Sequence, residues 1–178
     1  YLILGELSAD ISILNSQQYF NTQLYISPSG QLELEETRFL VELGLFQPLT
    51  YGMPVSYSGK VSGYFPVSLL NKNNYIGING RLSLNNITMS LPQNQSLGDF
   101  IIDFRAEKDG ATSAQIKNSG GTLKVDGILK LSKNGLLNIS ATLLPKLPGS
   151  PIEKTISFLG RPDSRGRTQL NYQFKLWK

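Results

Sequence analysis

Apolar residues recur at every second position in run after run of this chain, and that period decides its class. In the first run Leu7, Ala9, Ile11 and Ile13 alternate with Glu6, Ser8, Asp10 and Ser12. Leu24 with Ile26 and Leu32 with Leu34 continue the pattern, followed by Phe39, Val41, Leu43 and Leu45. A period of two sends alternate side chains to opposite faces of a strand, so each run predicts a half-buried β-strand. The run from Phe39 also admits a short helix, because Glu35, Glu36 and Arg38 are good helix formers. Further strands are predicted at Val55, Tyr57, Gly59 and Val61; at Ile76, Ile78, Leu82 and Leu84; at Ile87, Met89 and Leu91; and at Phe100, Ile102, Phe104 and Ala106. Turn-forming segments separate them: NKNN from Asn71, LPQNQSLGD from Leu91, and KDG from Lys108. The clearest hairpin is GTLKVDGILKLSKNGLLNISATL, where Asn134 and Gly135 can both take positive φ and so predict a tight primed turn.

One stretch breaks the period. In SPIEKTISFLGRPDSRGR, Ser150 is placed to N-cap a helix, Pro151 suits its first position, and Glu153 completes a capping box. Ile152, Ile156 and Leu159 then fall on one helical face, Gly160 suits a left-handed cap and Pro162 prevents continuation. A helix over about 151–159 is predicted. It is too short to stand alone in water, where roughly 12 to 15 residues are needed, so it must dock its apolar stripe on the sheet. Beyond it PDSRGR reads as a turn, and Leu170, Tyr172, Phe174 and Leu176 mark a closing strand.

The resulting fold class is predominantly all-β: an antiparallel meander of roughly ten strands, packed as a curled sheet or a β-sandwich, with one short helix near its C-terminal end. No Pro/Gly/Ser-rich linker or charge block divides the 178 residues, so a single domain over 1–178 is expected. A glycine opens several of the runs, as in GELSADIS, GKVSGYF and GRLSLNNI, but at irregular spacing, which does not fit a solenoid repeat.

Composition narrows the chemistry. The chain has no cysteine and no histidine, which removes thiolate and imidazole catalysis, the Ser-His-Asp triad and tetrahedral Cys/His zinc sites. No enzyme activity and no cofactor are called for. A net charge of +4 is only mildly basic, its cations are spread along the chain, and no nucleic-acid motif accompanies them, so no nucleic-acid partner is expected. No run of 18 apolar residues occurs. The first residue is Tyr1 rather than Met, which suggests a segment upstream, either a signal peptide or a membrane anchor.

The remaining candidates are surface features. Arg161, Arg165 and Arg167 crowd one turn and suit an anion: a phosphate, a lipid head group or a partner's carboxylates. The plain alternative is a solvated turn whose arginines pair with Asp163. Glu33, Glu35 and Glu36 form an acidic patch that reads as the wet side of a strand or helix. Asp99 and Asp103 share one strand face but stand roughly 13 Å apart at 3.3 Å per residue, too far to share a proton or a metal. Asn86, Asn94 and Asn138 lie in glycosylation sequons, which arise readily by chance in an Asn- and Ser-rich chain. Tyr19, Phe20, Tyr25, Tyr51, Tyr57, Tyr64, Phe65 and Tyr75 accumulate in the first half, as core, strand-edge or groove residues.

The C-terminal combination of a capped helix, FLGRPDSRGRTQLNYQFKLW and a last alternating strand resembles the type II secretion system protein N family (GspN), on Leu159, Gly160, Arg161, Pro162, Asp163, Gly166, Arg167, Leu170 and Tyr172. LGLFQPLTYGMPVSYSGKVSG is similar to the family's central region and GTLKVDGILKLSKNGLLNISATLLPK to its penultimate hairpin. The resemblance implies a periplasmic β-rich domain, tethered to the inner membrane by an upstream segment, accessory to export of folded proteins across the Gram-negative outer membrane. It implies contacts with other secretion components, such as the inner-membrane protein C or the secretin, and brings no catalytic motif. The one-sided strand pattern is also similar to periplasmic lipid-handling β-groove proteins of the AsmA type, which makes a lipid-binding module the alternative function.

Overall fold

The computed structural model describes residues 2–3, 6–45, 56–70, 76–90, 94–157 and 159–176. The expectations placed on NKNN and on Tyr51, Val55, Tyr75 and Leu91 lie outside the described residues. The elements are β1 (Leu2–Ile3), β2 (Glu6–Asn15), β3 (Gln18–Ile26), β4 (Leu32–Glu42), β5 (Ser56–Leu70), β6 (Ile76–Ser90), β7 (Asn94–Ala106), β8 (Thr112–Ser119), β9 (Leu123–Leu131), β10 (Leu136–Pro145), α1 (Pro151–Ser157) and β11 (Thr168–Lys175). The eleven strands form one sheet in the order of the sequence, each antiparallel to the next. The sheet is not closed, and of the two expected arrangements it is the curled one.

The helical alternative fails around Glu35 but holds at the end of the run, where β4 stops at Glu42 and Leu43 and Leu45, expected on the strand, lie in one 3₁₀ turn over 43–45. Leu32, Leu34, Phe39 and Val41 belong to one strand, and the apolar phase slips from even to odd because Glu36 sits in a bulge at φ 48°. Asn86 does the same in β6, at φ 54° between Leu84 and Ile87, so that two predicted runs join into one 15-residue strand. An extra residue in one strand of a pair shifts every following side chain to the other face, and both bulges return the apolar residues to the same side.

The hairpin from Gly121 to Leu143 forms in register, with Val125 opposite Leu143 and Leu129 opposite Ile139. Its turn differs from the expected one. Asn134 stays at negative φ and only Gly135 is left-handed, at φ 80°; Gly135 N donates to Ser132 O, and Ser132 N to Leu136 O. A glycine in the left-handed position after three other turn residues allows the ladder to close with a bulge. Ser27 to Gln31, Glu107 to Ala111 and Asp163 to Arg167 repeat the same pair of hydrogen bonds around Gly30, Gly110 and Gly166.

Helix α1 spans seven residues rather than nine. Ile152 is 2% exposed and Ile156 4%, whereas Leu159 lies past the helix end and is 46% exposed. Gly160 has no positive φ; it is small because a Cβ there would crowd the Thr168 methyl. The capping box is also displaced. The Glu153 carboxylate accepts from the backbone N–H of Gly149, and Ser150 Oγ is buried without a partner.

Ile152 and Ile156 pack with Met89, Leu123 and Leu143 in one buried cluster, with Tyr57, Leu97, Val125 and Leu170 against it. Met89 is on β6 and Leu143 on β10, four strand spacings apart, which is about 19 Å on a flat sheet at 4.8 Å per strand. A helix is only about 10 Å across, so the sheet must bend around α1 to bring both into one cluster. Burying Ile152 and Ile156 stabilises this docking by roughly 1.5–3 kcal/mol each.

Candidate binding surface

The registers sort the side chains of the sheet into two chemically distinct faces. On one side lie Leu24, Leu34, Phe39, Val61, Leu82, Ile102, Ile116, Leu129, Ile139 and Leu170, joined by the paired positions of neighbouring strands. Most of these are only half-buried. Among the described residues no charged side chain stands on this face, because Lys60, Arg81, Asp103, Lys117, Lys124, Asp126, Lys130 and Lys175 all alternate to the other.

Three rings cross the middle of the apolar face. Phe39 stacks on Phe65 at 6.2 Å between centroids, and Phe65 meets Phe104 at 5.7 Å and a tilt of 55°. Phe65 reaches over β6 to Phe104 because Gly80 lies between them, and Gly63 leaves the corresponding room beneath Phe39. Without side chains at these two positions the rings lie down on the backbone, where offset and tilted pairs are favourable. Of the polar groups on this side, Thr168 is fully buried with its hydroxyl unpartnered, while Thr22, Thr37 and Asn118 are satisfied internally. Thr22 and Thr37 hydrogen-bond at 2.7 Å, and Asn118 donates to Leu97 O and Leu123 O and accepts from Val125 N.

The bent sheet is therefore a trough with an apolar lining, and α1 blocks one end of it. Loops alternate between the two ends of a meander, which puts α1 at the end where β10 leads to β11. The other end carries the turns 27–31, 107–111 and 132–136, and among the described residues no element crosses it.

The predicted site residues fall elsewhere. Asp163 Oδ1 accepts from the N–H groups of Arg165 and Arg167, and Asp163 Oδ2 pairs with the Arg167 guanidinium at 2.8 Å. These bonds, led by the one from the Arg167 N–H, pull the Asp163 carboxyl down to about 2. Arg167 thus belongs to its own turn, while Arg161 and Arg165 are exposed and have no acidic partner among the described residues. Glu33 and Glu35 lie on the polar side of β4, and Glu36 binds Arg38 at 2.8 Å. Asp103 pairs with Arg81 at 2.6 Å, and Asp99 accepts from the N–H of Asn86 in the bulge. Asn86 and Asn94 are exposed, and Asn138 accepts from Gln173. Of the aromatics, Phe20 and Phe65 line the trough, Tyr57 packs at the helix, and Tyr19, Tyr25 and Tyr64 face the polar side.

Two features were not foreseen. On the polar side a cavity of about 600 Å³ lies between Tyr19, Arg38, Tyr64, Arg81 and Asp103. Its cations are already engaged: the Arg38 guanidinium lies 4.9 Å from the Tyr64 ring centre, and hydrogen bonds to Glu36 and to Asp103 raise Arg38 and Arg81 above their ordinary range. The second is the free edge of β11. It has no neighbouring strand beyond β10, and its Tyr172 and Phe174 rings stack at 6.0 Å while 42% and 48% exposed. The alternating pattern of β11 gave its faces, but an edge is a property of the whole order of strands.

No helix among the described residues is long and apolar enough to cross a membrane. Searches of the curated proteins and of the solved structures each found no match. The pattern that defines the type II secretion system (T2SS), protein N family matches residues 1–171. That span takes in the whole sheet down to the middle of β11, including the bent half around α1, and the chain therefore belongs to the type II secretion system protein N family.

Proposed function

We propose that the chain acts in type II secretion as a non-enzymatic binding subunit, one domain standing in the periplasm and tethered to the inner membrane by a segment upstream. Its contacts are with other secretion components, the inner-membrane protein C or the secretin. The observation that carries this reading is the unpaired β11 edge, eight residues long with exposed rings. Strand edges left open invite pairing, and proteins that do not use them protect them with charges, proline or bulges. Here Lys175 is the one charged residue in the strand. The occupant expected is a β-strand of a secretion partner, added by backbone hydrogen bonds.

Site-specific crosslinkers placed at Asn171 or Gln173 in the full-length protein in cells test it. A product with protein C or the secretin, lost when Asn171 is replaced by proline, is the expected result. Crosslinks to neither component, together with undiminished secretion in the N171P strain, overturn it.

A second reading, binding of lipid in the trough, is favoured by the charge-free and half-exposed lining from β3 to β11. Native mass spectrometry of the protein purified from membranes tests this reading: bound lipid mass supports it and a clean protein mass removes it.

A further inference from the structure

We infer that the trough takes the hydrocarbon chain of an anionic lipid along the strands, entering at the rim of turns 27–31, 107–111 and 132–136 and ending against Ile152 and Ile156. This inference rests on the lipid reading and adds the direction, the depth and the charge of the ligand.

The lining identifies the occupant as hydrocarbon. A protein surface seated here would bring roughly one hydrogen bond per 100–200 Å² of interface. The trough has little to offer such a partner, since Thr22, Thr37 and Asn118 are spent on one another and on backbone groups. An alkyl chain asks for no hydrogen bonds and gains from every half-buried Leu, Ile and Phe it covers.

Length fits as well. The nine residues of β9 and ten of β10 extend about 30 Å at 3.3 Å per residue. That equals the hydrocarbon thickness of a whole bilayer, about 30 Å, so a single leaflet's chain fits with room for α1.

Direction follows from what stands at each end. At the α1 end the buried isoleucines form an apolar stop. At the other, Lys108 and Lys133 are exposed on the turns and have no acidic partner among the described residues. The two acids of that turn are held by neutral donors rather than by these lysines: Asp109 accepts from Ala111 N–H and Glu107 from Ser113 Oγ on β8. Two free ammonium groups at the open rim complement a phosphate or carboxylate held outside.

The experiment uses vesicles of phosphatidylglycerol carrying a photoreactive diazirine either at the end of an acyl chain or next to its carbonyl, presented to the full-length protein, with adducts mapped by mass spectrometry. The chain-end probe is expected to label beside α1, at Val125 and Leu170. The carbonyl-end probe is expected at Leu131 and Leu137. The K108E/K133E variant should lower labelling by phosphatidylglycerol several-fold and leave a phosphatidylcholine probe unchanged. A diazirine fatty acid is a parallel arm that separates free acid from phospholipid as the source of the chain. Identical labelling by the two probe positions overturns the direction. Adducts on the opposite side, at Ile101 or Ile128, overturn the trough as the site. Absence of labelling from every probe, with no lipid in the native mass spectrum, overturns lipid binding itself and leaves the β11 contact standing.

Discussion

Thr22 and Thr37 place their hydroxyl oxygens 2.7 Å apart beneath the apolar face, beside the bulge at Glu36. The bulge moves Thr37 into a position that an unbroken alternation would have sent outward. A hydroxyl buried alone costs about 1–3 kcal/mol, whereas removing both partners can be nearly neutral. Thr22→Val should therefore destabilise by about 1–2 kcal/mol in denaturant unfolding. Thr37→Val should cost less, because Thr22 keeps the Glu35 carbonyl at 3.3 Å. The double variant should be more stable than the sum of the two.

Ile152 and Leu159 separate the docked helix from the exposed chain beyond it. Ile152→Ala should cost about 2–5 kcal/mol, as for other fully buried aliphatic side chains. Leu159→Ala should stay within about 0.5 kcal/mol, as for an exposed site. Equal losses at the two positions would contradict a helix that ends at Ser157.

Gly98 and Gly121 are pressed together where β7 meets the β8–β9 loop. A Cβ on Gly98, at φ 89°, would enter the carbonyl oxygen of Ser119, and one on Gly121, at φ 60°, would enter the backbone of Leu97. Backbone atoms cannot step aside as a flexible side chain can. Gly98→Ala should cost about 3 kcal/mol or more, with loss of the folded yield as the measurement.

Asp163 makes the arginine turn sensitive to acid. Its carboxyl is lowered to about 2, so its bonds to Arg165 and Arg167 are complete above its ordinary value near 4 and fade as pH falls through about 2. Amide exchange of Arg165 and Arg167 should quicken over that window in the wild type, be fast throughout in Asp163→Ala, which removes the acceptor of both N–H groups, and lose this pH dependence in Asp163→Asn, which keeps it. The same pairing splits the three arginines. Arg167→Glu should disorder the turn, while R161E/R165E should fold normally and report, through partner crosslinking, whether the free cations serve a contact.

Much of the sheet was legible because alternation is enforced residue by residue wherever one face is apolar. The bulges were half legible. The phase slip between Leu34 and Phe39 is visible in the sequence, but nothing marks Glu36 for positive φ, and although an asparagine tolerates that conformation, nothing distinguishes Asn86 from Asn85 beside it. The turn at Asn134 was misread because a residue tolerant of positive φ need not use it once Gly135 supplies the reversal. The arginine cluster was visible as charge, but its internal bonds to Asp163 were not. Least legible was the open apolar face, since the alternation of Leu129 and Ile139 is the same whether a second sheet covers them or not. The bonds from Tyr64 to Glu36 and from Arg81 to Asp103 join residues 28 and 22 positions apart through strand register, which no local pattern encodes.

The strict neighbour order of the strands also bears on how the chain reaches its fold. Every strand pairs only with those before and after it, so each step of assembly closes a short loop. Sheets built from distant segments fold slowly because long loops must close before any contact rewards them. This sheet escapes that delay: it can grow hairpin by hairpin as the chain emerges. The exception is α1, which unites β6 with β10 and so docks only once those strands are in place, fixing the bend of the sheet.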